Sequence, residues 1–206
     1  MEQEDYKRKL RESVIHIIAT EGMDRVTTKA VASYAQLNEG YIYRLFKDKD
    51  TLFKEAFEQL DSELIAGIMK YLPVMEITTI EIKERCRALF FMIWKFIICM
   101  PERCHAFIRY YYSPYFSRLS AEKHWQDYQP VVDVFRPACL NGADTWRLLN
   151  HILDFMLTSS IRLFRGEIDD SDETADDLFR IIYSAMEPQL AWGIRSEYEQ
   201  YDGKDA

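Results

Sequence analysis

The chain has 206 residues, 48% of them hydrophobic, and carries 34 acidic against 26 basic side chains for a formal net charge of −8. That size and apolar content allow one or two domains with a substantial core and exclude a disordered chain, while the acidity excludes a protein that is basic over its whole surface. With only seven Gly and six Pro, and helical periodicity over most of its length, the sequence predicts an all-α fold of about nine helices.

The first helix is expected from about Asp5 to Glu21, with Leu10, Val14, Ile17 and Ile18 on one face. Gly22 follows as its stop, because glycine takes positive φ at little cost. Thr27 is suited to cap a short second helix, Thr28 to Ala35, with Val31, Ala32 and Ala35 inward. After the turn Gln36-Leu37-Asn38, Asn38 caps a third short helix, Glu39 to Phe46. Asp48 caps a fourth that runs to about Tyr71, and Pro73 ends it. A long helix over about Thr78 to Met100 follows, then one that opens at Pro101 and breaks near Pro114. Pro130 and Pro137 predict a kink or break between Ala121 and Cys139. Asn141-Gly142 marks a turn. The last two helices are expected over about Asp144 to Arg165 and Asp172 to Trp192, before a frayed tail, YEQYDGKDA.

The polar start MEQEDYKRKLRES does not read as a signal peptide. The most apolar run, residues 88–100, holds Lys95 and is too short for a bilayer core of ~30 Å. A cytoplasmic protein without a membrane partner is expected. Cys86, Cys99, Cys104 and Cys139 form no CxxC pair and no zinc spacing, so they read as reduced thiols. There is no nucleophile with a base at motif spacing, no Gly-rich phosphate loop and no metal-ligand set. No enzymatic activity, cofactor or metal is therefore expected.

Charge is distributed unevenly. Residues 1–54 carry ten basic and nine acidic side chains, and the other 152 carry 16 and 25, an asymmetry that suggests two jobs in one chain. Within the first stretch, two short helices joined by a three-residue turn form a helix-turn-helix pattern, whose second helix enters the DNA major groove. The residue types suit that use. Gly40 lets the backbone approach closely, and Asn38, Glu39, Tyr41, Tyr43 and Arg44 can bond to bases or phosphates. Thr28 and Lys29 open the preceding helix behind Thr27, where free N–H groups favour a phosphate. Lys47 and Lys49 follow the recognition helix and can hold the backbone. Ile42, Leu45 and Phe46 point the other way, into a small core.

Taken whole, the stretch resembles the TetR family of transcriptional regulators. The matching elements are Thr27-Thr28, Val31-Ala32, Ala35-Gln36-Leu37, Asn38, Gly40, Ile42-Tyr43, Phe46, Lys49 and Leu52. The resemblance covers roughly residues 8–55; beyond residue 60 only the helical layout matches. Gln36 departs from it, standing where the family usually has Gly, and a non-Gly residue there must accept an uncommon backbone region or a different turn. The resemblance implies phosphate contacts at Thr28, Lys29, Tyr43 and Lys49, and base-facing positions at Glu39, Gly40, Tyr41 and Arg44. It also implies a DNA-binding domain over residues 1–50 and a helical effector-binding and dimerisation domain over 51–206. The function implied is that of a homodimeric repressor, released from a palindromic double-stranded operator by a small-molecule effector. An activator, or a thiol- or metal-responsive helical interaction module that keeps a helix-turn-helix, is the competing reading; Cys104-His105 alone is too little for a metal or thiol sensor.

In the last two helices, Trp146, Leu153, Met156 and Leu157 form one apolar stripe and Leu178, Ile182, Ala185 and Met186 another. Either they close the monomer core or they build a four-helix contact across a two-fold axis, and the resemblance favours the second. The acidic run GEIDDSDETADD lacks EF-hand order and reads as a solvated loop whose acids favour the next helix N-terminus. Aromatic residues crowd the middle of the chain. They can be plain core, or Phe91, Trp94, Tyr110 and Tyr111 with His105 and Arg109 can line a mostly apolar effector pocket.

Overall fold

The computed structural model describes residues 2–191. Among them are ten α-helices and no strand: α1 (Glu2–Thr20), α2 (Thr28–Ala35), α3 (Gly40–Phe46), α4 (Lys49–Met69), α5 (Ile82–Ile98), α6 (Pro101–Tyr111), α7 (Ala121–Asp127), α8 (Gln129–Phe135), α9 (Thr145–Phe164) and α10 (Asp172–Met186). The all-α expectation holds, with one helix more than the nine expected because the segment around Pro130 divides. Pro130 falls in the first turn of α8, where its missing N–H interrupts nothing, and α7 ends just before it. A π-helical turn, Phe116–Ser120, leads from the end of α6 into α7. The proposed ends at Trp192 and in the tail lie outside the described residues.

Local chemistry explains the early boundaries. Gly22 sits at φ 98°, the positive region that makes it a helix stop. The Thr27 hydroxyl accepts the Ala30 N–H at 3.1 Å and so caps α2. Asp48 accepts the Thr51 N–H at 2.8 Å and starts α4.

The chain forms two compact units. The first comprises residues up to Ala66 together with Cys99–Asp127; the second comprises Gly67–Ile98 and Tyr128 onward. Compactness thus groups α6 and α7 with the N-terminal helices.

In the first unit α1 lies along α6 and against α2 and α3. Leu10, Val14, Ile17, Ile18, Val31, Ile42 and Phe46 fill the space between them. Charged groups bind α1 to α4 and α6. Arg103 of α6 pairs with Glu12 of α1 at 2.8 Å and Glu63 of α4 at 3.2 Å, while Arg11 reaches Glu55 at 3.3 Å. Burial works against the Glu12 carboxylate, but the Arg103 guanidinium outweighs it and holds the pKa below the usual value. A carboxyl with a depressed folded-state pKa adds stability that is present above its unfolded pKa and lost as pH falls through the folded one. Glu12→Gln should therefore lower the urea midpoint at pH 7, and the difference from wild type should shrink on acidification below about pH 4. Urea titrations at the two pH values check this.

In the second unit α5 packs against the 3₁₀ turn Leu72–Glu76 and against α9 and α10, and α8 packs on α9. Leu89, Phe90, Trp94, Ile97, Leu157 and Phe179 form its core. The buried Arg85 donates to the Met75 carbonyl at 2.6 Å, which ties α5 to that turn.

Candidate nucleic-acid interface

The helix-turn-helix is built as a two-sided element. Ile42, Leu45 and Phe46 of α3 and Val31, Ala32 and Ala35 of α2 are buried. On the other side Thr27, Lys29, Asn38, Glu39, Gly40, Tyr43, Arg44 and Lys47 are exposed, and Thr28, Tyr41 and Lys49 are half-buried. Tyr43 is 58% exposed, a large apolar ring held in solvent where burial would ordinarily take it. None of the eleven positions singled out from the sequence is buried.

The turn between the helices closes by two bonds, Leu37 N–H to the Ala32 carbonyl at 2.9 Å and Gln36 N–H to that of Ser33 at 3.1 Å. This is the Schellman arrangement, which needs its first outside residue in the left-handed region. Gln36 occupies that position at φ 56°, ψ 39°. The turn keeps its usual path and the side chain bears the strain. Gln36→Gly should raise stability by about 1 kcal/mol, since the left-handed region penalises a Cβ. A thermal or urea titration reads it.

Several groups are already engaged with one another. The Asn38 Oδ1 accepts the Gly40 N–H at 2.9 Å in the turn that leads into α3, whose N-cap position is Glu39 rather than the expected Asn38. Thr28 Oγ1 donates to Glu39, linking the first turns of the two helices. The Arg44 guanidinium lies over the Tyr41 ring, 4.1 Å from its centroid, and Tyr41 in turn meets Tyr6 of α1 edge-on at 5.2 Å. Arg44 is thereby pre-oriented along the exposed side of α3. Tyr6 was missed by sequence reasoning, because its role depends on a partner 35 positions away and no local pattern marks it.

Between α3 and α4, Lys47 has φ 63° and ψ −53°, and the Asp48 N–H bonds back to the Phe46 carbonyl at 2.5 Å. This is a γ-turn, uncommon and strained for a residue with a side chain. It turns the chain sharply enough to set Lys47 and Lys49 on either side of the Asp48 cap. Lys49 rests over the Phe53 ring at 4.8 Å. Arg118, from the π-helical turn, pairs with Asp50 at 2.9 Å, so a second cation stands beside the start of α4. The sequence offered no local signal for it.

The residues expected around an effector are divided between the two units. Phe91 and Trp94 belong to the second unit, and His105, Arg109, Tyr110 and Tyr111 to the first. Arg109 donates to the carbonyls of Ile18 and Ala19 at 2.7 and 2.8 Å, a cation at the end of α1, where the helix dipole favours it. Tyr110 stacks on Phe57 at 4.4 Å, and burial pushes its hydroxyl pKa up to about 12. His105 lies 2.8 Å from the Pro101 carbonyl, and Tyr111 packs on Phe107 and Phe116. Trp94 is buried, and Phe91 carries the Arg87 guanidinium at 4.6 Å. The second unit does hold a cavity, of about 80 Å³, but none of these six lines it.

Of the apolar stripes on α9 and α10, Leu153, Met156, Leu157, Ile182 and Met186 are buried within the second unit, and all but Leu157 line that cavity. Trp146 and Leu178 are half-buried and Ala185 is exposed. The remaining apolar surface on α10 is Leu178, Ile181 and Ala185, with Ile181 58% exposed. Each residue turns a helix by ~100°, so 181 and 185 lie on a different side from 182 and 186. The stripe read from the sequence merges these two sides.

Among the described residues no group of three His, Cys, Asp or Glu side chains could hold a metal ion, and no helix is long and apolar enough to cross a membrane.

Residues 15–56 match the model of the family described as bacterial regulatory proteins, tetR family. No curated protein matches. Among solved structures, a TetR family transcription regulator from Marinobacter aquaeolei VT8 is similar at 14% identity and a TM-score of 0.73, over 90% of this chain and 98% of that one. A tetR-family protein from Shewanella sp. PV-4 is similar at 14% identity and 0.72, with the same coverages. A TetR family protein from Vibrio parahaemolyticus follows at 16% and 0.65, again over 90% and 98%. At such identities the structural likeness speaks for the fold; the family match speaks for the helix-turn-helix. Residues 15–56 are thus similar to the helix-turn-helix region of the tetR family, on a chain whose fold is that of the TetR-family structures.

Proposed function

We propose that the protein is a dimeric transcriptional repressor that binds a near-palindromic operator and leaves it when a small molecule occupies the second unit. The observation that carries the reading is the exposed side of α2 and α3, with Arg44 laid over Tyr41 and Lys47 and Lys49 bracketing the start of α4. A single such element makes few contacts, and two of them about one DNA turn apart, roughly 34–36 Å or a multiple, match a two-fold operator. The exposed Ile181 and Ala185 of α10, with the half-buried Leu178, supply a surface for the second copy. The expected base-facing positions are Glu39, Gly40, Tyr41 and Arg44; Thr28, Lys29, Tyr43, Lys47 and Lys49 hold phosphates.

The test is fluorescence anisotropy with duplexes from the DNA upstream of the protein's own gene, at several salt concentrations. Affinity should fall steeply with salt, since phosphate contacts release counterions. Lys49→Ala should weaken binding to all sequences alike and reduce the salt slope by about one. Arg44→Ala should relax sequence preference at a cost of roughly 1–3 kcal/mol on the best site. Wild-type affinity in both variants would remove this side of α3 from the DNA.

A further inference from the structure

The cavity of the second unit has a chemical character that narrows its occupant. Eighteen residues line it, drawn from the end of α4, α5, α8, α9 and α10, and none is charged. Most of its wall is aliphatic or aromatic, with Phe90, Ile93, Trp146, Met156 and Phe179 prominent. The one side-chain amide is that of Asn150. Cys86 also faces it, and burial pushes that thiol up to about 11, so it is neutral at physiological pH. The buried cation of this unit, Arg85, is not in the lining and spends its guanidinium on the Met75 carbonyl.

An ion moved into such walls loses its hydration and finds no opposite charge, a loss far larger than a few methylenes return. A neutral apolar molecule meets the opposite balance. At about 80 Å³ the space is roughly half that of an apolar cavity of ~150 Å³ that takes up benzene. Met156 and Met186, unbranched and adaptable, let the walls yield to something somewhat larger. A polar groove of about 410 Å³ adjoins it, sharing Val132 and Trp146 and lined also by Gln129, Arg136 and Asn141. Trp146, set edge-on against Tyr128 at 5.9 Å, stands between the two spaces.

We infer that this cavity takes a small, neutral, predominantly apolar molecule, an alcohol or simple hydrocarbon-like compound, and refuses carboxylates and amines of the same length. The inference rests on the ligand-responsive reading for its regulatory meaning. The same α10 that presents Phe179, Ile182 and Met186 to the cavity presents Ile181 and Ala185 outward, so an occupant pushes on the helix that carries the proposed dimer surface.

Three probes of one chain length decide the matter on the wild-type protein at pH 7: n-pentanol, pentanoate and pentylammonium, each followed by calorimetry and thermal shift without DNA. Pentanol is expected to bind at least tenfold more tightly than either ion. Val132→Phe, which fills the wall shared with the groove, should abolish the pentanol response; Val132→Ala, which enlarges the space, should tighten it severalfold. Equal or tighter binding of pentanoate, no pentanol binding at all, or a pentanol response indifferent to both Val132 variants would overturn the inference. Operator release is measured separately by anisotropy. Pentanol that binds in the cavity yet leaves the operator complex intact upholds the ligand class and sinks the release mechanism.

Discussion

Ile181→Asp is expected to yield a folded monomer whose operator affinity is lower by about 10²–10⁴-fold, the factor lost when two linked binding heads become one. Ile181 is 58% exposed on α10, so the substitution removes little from the monomer core and should change monomer stability by only about 0.5 kcal/mol. Across a two-fold contact it would appear twice, placing two carboxylates in an apolar seam. Ile182→Asp makes the contrast. Ile182 is buried and lines the cavity, so an unpaired charge there should unfold the second unit rather than separate two copies. Sedimentation velocity, circular dichroism and operator anisotropy on the two variants separate these outcomes. An Ile181→Asp protein that stays dimeric would move the contact off this side of α10.

The second large effect concerns the first unit. His124→Ala should cost roughly 3–5 kcal/mol, the usual consequence of removing one member of a buried pair. His124 of α7 sits 2.8 Å from Asp61 of α4, with side chains only 1% and 4% exposed. The rings of Phe57, Phe107, Tyr111 and Phe116 stand 5.3–6.3 Å from the imidazole, so little water reaches the pair. Asp61 lies eleven residues beyond Asp50, which Arg118 holds, and eleven residues are three helical turns. The segment from the π-helical turn through α7 is therefore fastened to one side of α4 at two points. Asp61→Asn should also destabilise, and the double variant should lose less than the sum of the singles, because each change removes the same interaction. Urea unfolding of the three variants measures it. A loss below about 1 kcal/mol for His124→Ala would mean that the aromatic packing alone holds this segment.

These two cases separate local from distant information. The helix-turn-helix was legible because the caps and periodicity that set its helices lie within a few residues. Thr27 caps α2, Gly22 ends the stretch before it, and the bounds Thr28–Ala35 follow from those side chains and the 3.6-residue period. The division of α3 into a buried side at Ile42, Leu45 and Phe46 and a polar side at Tyr43 and Arg44 is a matter of spacing alone. Even the anomaly at Gln36 was visible, since a tight helix stop demands positive φ whatever residue stands there. Partnership at long separation was not legible. Aromatic residues around Trp94 and Tyr110 look alike in sequence, yet chain topology sent them to different units, and Arg109 went to the carbonyls of α1. His124 met Asp61 across 63 positions, and Ile181 and Ile182, neighbours in the chain, were divided between solvent and cavity. Capping and periodicity act over one or two turns, so one sequence window contains them. Which of several apolar sides is covered, and by what, depends on the packing of whole helices, and that is decided only when the chain has closed on itself.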